Sequence, residues 1–158
     1  MKQFLVSLAL LLAAALACSQ APEPTVAVSN LPKQFVAGTK VTIMVTITFA
    51  DGYHAYQNPP ASEYDIPVVV KVDGKEFKAL KVAYPPGVDA IVGGGEKPTK
   101  AYEGTIKVPV TIQVPATVGK KKLIVVVSYQ QCDSTSCFPL SRVSSTTAVT
   151  VVKKVSKP

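Results

Sequence analysis

From residue 41 onward the apolar positions recur mostly at every second residue. Val41, Ile43, Val45, Ile47 and Phe49 share one side of an extended segment, with Thr42, Thr46 and Thr48 on the other. Ile106, Val108, Val110, Ile112 and Val114 alternate in the same way with Thr105, Lys107, Thr111 and Gln113. A period of two marks a half-buried strand with one core face and one wet face. Leu123 to Val127 is apolar at every position, which predicts a strand covered on both sides. The Thr-, Ser- and Val-rich run Val143 to Val152 predicts a last strand, and Asp73-Gly74 predicts a hairpin between Ile66–Val72 and Lys75–Tyr84. Helical periodicity of useful length is missing from the same region, and Pro is frequent. About seven or eight short strands between residues 25 and 155 predict an all-β domain, an immunoglobulin-like antiparallel β-sandwich. An antibody-type core is excluded, since there is no Trp and the later cysteines are too close in sequence to bridge two sheets. Two segments resist strand assignment: the polar, Pro-rich Gln57 to Asp65, and Pro85 to Lys100. The second holds Pro85-Pro86-Gly87, the apolar island Ile91-Val92 and Gly93-Gly94-Gly95. Long Gly-rich loops in compact domains are more often functional than idle.

The N-terminus has a different pattern. Lys2 precedes Phe4 to Leu16, apolar except for Ser7, and Ala15-Leu16-Ala17 follows as a small-x-small site. Residues 1–17 therefore read as a secretory signal, too short to span a bilayer, and 18–24 as a linker. Cys18 directly after the site resembles the acylated cysteine of bacterial lipoproteins, although Ala15 stands where those signals usually carry Leu. Ala15-x-Ala17 serves an ordinary signal peptidase equally well and would leave Cys18 a spare thiol. Either way the domain is expected in the periplasm, or tethered to a membrane and facing away from the cytoplasm, where disulfides persist. The net charge is +7, but the lysines are scattered. The one tight run, Lys120-Lys121-Lys122, reads as a solvated turn that guards a strand edge. Nucleic-acid binding is not expected of an exported chain without an aromatic-and-basic motif.

The chemistry concentrates in Tyr129 to Pro139, where four small polar residues separate Cys132 from Cys137. A strongly apolar strand runs into Cys132 and another is expected after Pro139, which puts both sulfurs at the tip of a hairpin-like turn, near enough to bond. A bridge closing so short a loop stabilises by only roughly 2 kcal/mol in the chain-entropy view, and an exposed pair is more easily reduced and suited to exchange. Spacing alone leaves the structural and the redox readings open. Asp133 has two readings as well: its carboxylate disfavours a neighbouring thiolate, or it bonds its own backbone in the turn. His54 is the only histidine. A cupredoxin copper site needs two, and zinc held by Cys132, Cys137 and His54 would lack a fourth strong ligand. No nucleophile elbow accompanies His54 for hydrolysis, and Gly93-Gly94-Gly95 lacks the Lys-Ser/Thr of a phosphate loop. Neither a metal nor a cofactor is expected.

Tyr129-Gln130-x-Cys132-x4-Cys137-Phe138-Pro139 resembles the active-site segment of the N-terminal periplasmic domain of DsbD-type thiol:disulfide interchange proteins. Asp51-Gly52-Tyr53-His54-Ala55-Tyr56 is similar to that family's segment ahead of its active-site tyrosines. Ala101-Tyr102-Glu103-Gly104, leading into Val108-Pro109-Val110-Thr111-Ile112, continues the match, so that the blocks agree in order over most of Val41 to Pro139. The resemblance implies an immunoglobulin-like fold and an electron relay. A membrane electron carrier, here a separate polypeptide because the family's membrane domain is missing, would reduce the pair. The pair would then serve periplasmic thioredoxin-like proteins such as disulfide isomerases or cytochrome c maturation reductases. Cys137 would be the sulfur joined to the partner and Cys132 the resolving one, with His54, Tyr56, Tyr129 and Phe138 as neighbours. The family's cap loop, which shields the cysteines with an aromatic residue, falls at Pro85–Lys100. That stretch has no Phe or Tyr between Gly87 and Lys100, so Ile91 or Val92 would cover the sulfurs, and three glycines imply a looser lid. Asp89 and Glu96 are the only candidates for the family's acidic pair in the cap. The competing expectation is a lipid-tethered, non-enzymatic β-sandwich binding protein with a structural loop disulfide.

Overall fold

A computed structural model describes residues 21–154. Residues 1–17, expected to be a secretory signal, Cys18 and the last four residues lie outside the described residues. In chain order the strands are β1 (Thr25–Ser29), β2 (Phe35–Val36), β3 (Lys40–Thr48), β4 (His54–Tyr56), β5 (Val69–Asp73), β6 (Lys78–Val82), β7 (Val88–Ala90), β8 (Thr99–Tyr102), β9 (Thr105–Gln113), β10 (Gly119–Tyr129), β11 (Gln131–Cys132) and β12 (Ser141–Val152). None of the described residues is helical. Two four-stranded sheets, in the orders β1-β3-β9-β6 and β2-β12-β10-β5, form an immunoglobulin-like sandwich. A third sheet, β11-β4-β8-β7, holds the cysteine segment.

The period-two pattern explains the core. Ile43, Val45 and Ile47 of β3 and Val108, Val110 and Ile112 of β9 are fully buried, while Thr42 meets Thr111 and Thr48 meets Thr105 on the outer face, each hydroxyl pair at 3.0 Å. Leu123, Val125 and Val127 supply the facing layer from β10. The all-apolar run in β10 is not covered on both sides, however. Ile124 and Val126 are only partly buried, because among the described residues no further layer covers the outer face of this sheet, which neighbouring side chains shield in part.

Asp73-Gly74 is likewise not a hairpin turn. β5 pairs with β10 and β6 pairs with β9, so the chain crosses from one sheet to the other at this point. The reason lies in Phe77: it is buried and meets Phe35 edge-on with ring centroids 5.8 Å apart, closing the end of the sandwich. A two-residue hairpin would leave that ring outside. The lysine run opens β10 rather than forming a turn, and Lys121 pairs with Glu76 of the crossover at 2.6 Å. The segment Pro85–Lys100, expected to be irregular, contains β7 and the start of β8.

β10 and β12 are a long antiparallel pair with Tyr129 opposite Ser141 at its end. Gln130 to Leu140, which carries both cysteines, is an excursion inserted between these two rigid strands.

Candidate functional site

The short strand β4 organises the site. It pairs on one side with β11, Gln131 opposite Ala55 and Cys132 opposite His54, and on the other with β8, Ala55 opposite Tyr102 and Tyr56 opposite Ala101. Residues directly opposite one another in an antiparallel pair share a face. Ala55 and Tyr102 point into the main core. Cys132, His54, Tyr56 and Ala101 therefore share the other face. There Cys132, Ala101 and Val92 form a second buried cluster, with Tyr56 and Ala90 packed against it.

Cys132 and Cys137 are joined in a disulfide and face each other across an isolated antiparallel bridge. The turn between them is held by the Asp133 N–H donating to Ser136 O at 2.9 Å and the Phe138 N–H donating to Gln131 O at 2.8 Å. Asp133 Oδ1 accepts from the Thr135 and Ser136 N–H groups, each at 2.7 Å, and from the Thr135 hydroxyl at 2.9 Å. These donors hold its carboxyl below the usual range. Of its two readings, the structure supports the turn residue. The two sulfur-bearing residues differ sharply in access: Cys132 is fully buried and Cys137 is exposed. The Tyr56 hydroxyl lies 3.8 Å from Cys137 Sγ. Burial, assisted by the Asp65 carboxylate, pushes its pKa up, so it stays protonated.

The Gly-rich loop lies directly on this turn. The Gly93 N–H donates to Asp133 O and the Gly94 N–H to Ser134 O, both at 2.9 Å. Gly93 and Gly94 have φ of +62° and +77°, a left-handed geometry that glycine adopts without strain. A Cβ on Gly93 would sit 2.6 Å from Cys137 Sγ, and one on Gly94 2.9 Å from Thr135 O. The loop thus touches the sulfur with bare backbone. Val92 packs beside Cys132 and is 5% exposed, whereas Ile91 is 42% exposed and faces solvent. The base of the loop is anchored: Tyr102 donates its hydroxyl to Pro85 O at 2.8 Å, and Gln57 Oε1 accepts from the Gly87 N–H at 2.9 Å.

His54 Nε2 lies 3.1 Å from Glu103 Oε2, with the His54 side chain 16% exposed. Its Nδ1 is buried and has no hydrogen-bond partner among the described residues. Phe138 leans on Tyr53, their centroids 6.1 Å apart. Tyr129 is turned away from the sulfurs into the main core, edge-on to Phe49. Asp89 is paired with Lys100 at 2.9 Å, and Glu96 is exposed in the loop. The structure therefore gathers Cys132, Cys137, His54, Tyr56 and Val92, and leaves Ile91 and Tyr129 outside that group. Reading the sequence by motif missed the contacts of Gly93 and Gly94 and the pairing of Glu103 with His54. The glycine triplet was a visible signal; its contact with sulfur was not. Among the described residues no three His, Cys, Asp or Glu side chains cluster as a metal ion requires.

A β-sandwich with an appended small sheet, carrying a disulfide with one buried and one exposed sulfur, defines a domain equipped for thiol–disulfide chemistry. Residues 22–148 match the family described as thiol:disulfide interchange protein DsbD, N-terminal, and the chain belongs to that family. No relative was found among the curated proteins. The N-terminal periplasmic domain of ScsB from Proteus mirabilis has a similar structure, with a TM-score of 0.59 and 16% identity over 83% of this chain. This chain covers 48% of that domain, about half its length. The Neisseria meningitidis DsbD N-terminal domain in the reduced form aligns with a TM-score of 0.47 and 19% identity, over 72% of this chain and 82% of that one.

Proposed function

We propose that this chain is an exported electron-relay domain, passing reducing equivalents from a membrane electron carrier to thioredoxin-like proteins by thiol–disulfide exchange. Cys137 is the sulfur that joins the partner, and Cys132 resolves the mixed disulfide. The observation that carries this reading is the asymmetry of the pair, since an incoming thiolate can reach only the exposed sulfur in line with the bond. Export is supported by the signal-like residues 1–17 and by the periplasmic setting stated for the Proteus mirabilis domain. Acylation of Cys18 would tether the domain to a membrane. The loop Pro85–Lys100 acts as the cap, with Val92 over Cys132 and the backbone of Gly93 over Cys137 in place of an aromatic ring.

Trapping tests the relay. Cys132→Ser keeps the exposed nucleophile and removes the resolving one, so it should accumulate mixed disulfides with thioredoxin-like proteins, and Cys137→Ser should accumulate none. A reduction potential of the purified domain far below about −300 mV belongs to a structural bridge and would sink the proposal.

A further inference from the structure

The buried sulfur poses a proton problem. When an incoming thiolate attacks Cys137, the disulfide breaks and Cys132 leaves as a thiolate in a pocket closed to water. In the reverse direction the Cys132 thiol must lose its proton before it can attack. A thiol in apolar surroundings resists ionisation, so a group within reach has to take the proton and return it.

His54 is the one imidazole among the described side chains of this face, a group able to take a proton and return it. His54 stands directly across from Cys132 in the β4–β11 pairing, and the Cβ atoms of such facing residues lie roughly 4.5–5.5 Å apart. That spacing is within reach of a thiol freed from its disulfide and turned about χ1. One ring nitrogen is fixed by the Glu103 carboxylate; the other is buried and without a partner. The Glu103 side also opens onto a solvent recess lined by Asp51, Tyr53, His54 and Glu103, giving the imidazole a route to water that Cys132 lacks. The titratable groups around His54 are Glu103 after β8, Asp51 and Tyr53 in the same recess, Tyr56 further along β4, and Cys132 on β11. Asp133, next to Cys132, is engaged in its own turn.

We propose that His54, positioned by Glu103, carries the proton of Cys132 during exchange. In the resolving step the Cys132 S–H gives its proton to Nδ1, the thiolate attacks Cys137 Sγ, the intramolecular disulfide forms, and the partner leaves as a thiolate with the electron pair of the broken bond. The proton stays on the imidazole beside the Glu103 carboxylate until water removes it. In the opposite direction the same imidazolium protonates the Cys132 thiolate as it departs. This inference rests on the exchange reading above.

The test is stopped-flow reaction of the reduced domain with dithiobis(nitrobenzoate). The first coloured thiolate reports attack by Cys137, and the second reports closure by Cys132. In His54→Gln the first release should keep its rate, while the second should slow by about a hundredfold at neutral pH, the lower end of what a placed acid–base group contributes. Its rate–pH profile should move up by one unit or more. Glu103→Gln, a change on an exposed carboxylate that leaves the fold intact, should shift the second release in the same direction by a smaller factor. Wild-type rates and pH profile for the second release in both variants would overturn the inference. If the wild-type domain released no second thiolate at all, the exchange reading itself would fail.

Discussion

Asp133 shows how a single carboxylate can be taken out of the chemistry next to it. Its Oδ1 accepts from two backbone N–H groups and a hydroxyl, so that oxygen is engaged in holding the turn. The hydrogen bonds from Thr135 and Ser136 lower its pKa. A depressed folded-state pKa means the ionised form favours the folded turn. That contribution is present above the unfolded aspartate value, about 3.9, and is lost as the pH falls through the lower folded value. The amide proton shifts of Thr135 and Ser136 should therefore titrate together with a midpoint below that ordinary value, and Asp133→Asn should abolish the titration. A midpoint at or above the ordinary value would contradict the geometry.

Among the elements, the Gly-rich loop and β4 lie against the disulfide and were the hardest to read from sequence. Gly93 has both a left-handed φ and no room for a Cβ beside Cys137 Sγ. Gly93→Ala should cost more than the roughly 0.4–1 kcal/mol that such exchanges change at compatible sites, and should lift the loop from the turn. Alkylation of Cys137 after reduction should then be several-fold faster than in wild type, and equal rates would show that the loop does not restrict access. The glycine triplet reads in sequence as a looser lid, yet the Gly93 and Gly94 N–H groups are bonded to the turn, the Gly95 N–H closes back on Val92 O, and the base of the loop is anchored by Tyr102 and Gln57. Backbone contacts of this kind leave no trace in side-chain pattern. β4 was similarly hidden. Three residues are too few for a periodic signal, and its boundaries exist only because β8 and β11 pair with it. His54 and Tyr56 were legible as neighbours through the resemblance of their segment to a known family, whereas Glu103 and the glycines became visible only once the sheet was assembled.

At the scale of the molecule, stability and chemistry are divided between the sandwich and the small sheet. The long strands were legible, β3 and β9 because their apolar residues alternate over enough positions to show a period, β10 from its continuous apolar run and β12 from its Thr-, Ser- and Val-rich composition. Which sheet each joins was not, and Phe77 rather than the Asp73-Gly74 turn decided the crossover. Ile112 is fully buried in the sandwich core, so Ile112→Ala should cost about 2–5 kcal/mol in denaturant unfolding. In the fraction that remains folded, the disulfide should keep its wild-type reactivity toward small thiols, and a parallel change in both would mean the two parts are not separable. The main-chain hydrogen bonds from Gly93 and Gly94 to the cysteine turn have a further consequence. A segment tied to the same chain behaves as a built-in competitor at fixed effective concentration, and any strand seeking those two carbonyls must first displace it. Apparent affinity then scales with the share of molecules in which the competitor is absent. Because the contest is fought with amide groups common to every polypeptide, it weakens all such partners by the same factor, and selectivity between them must be written elsewhere on the surface.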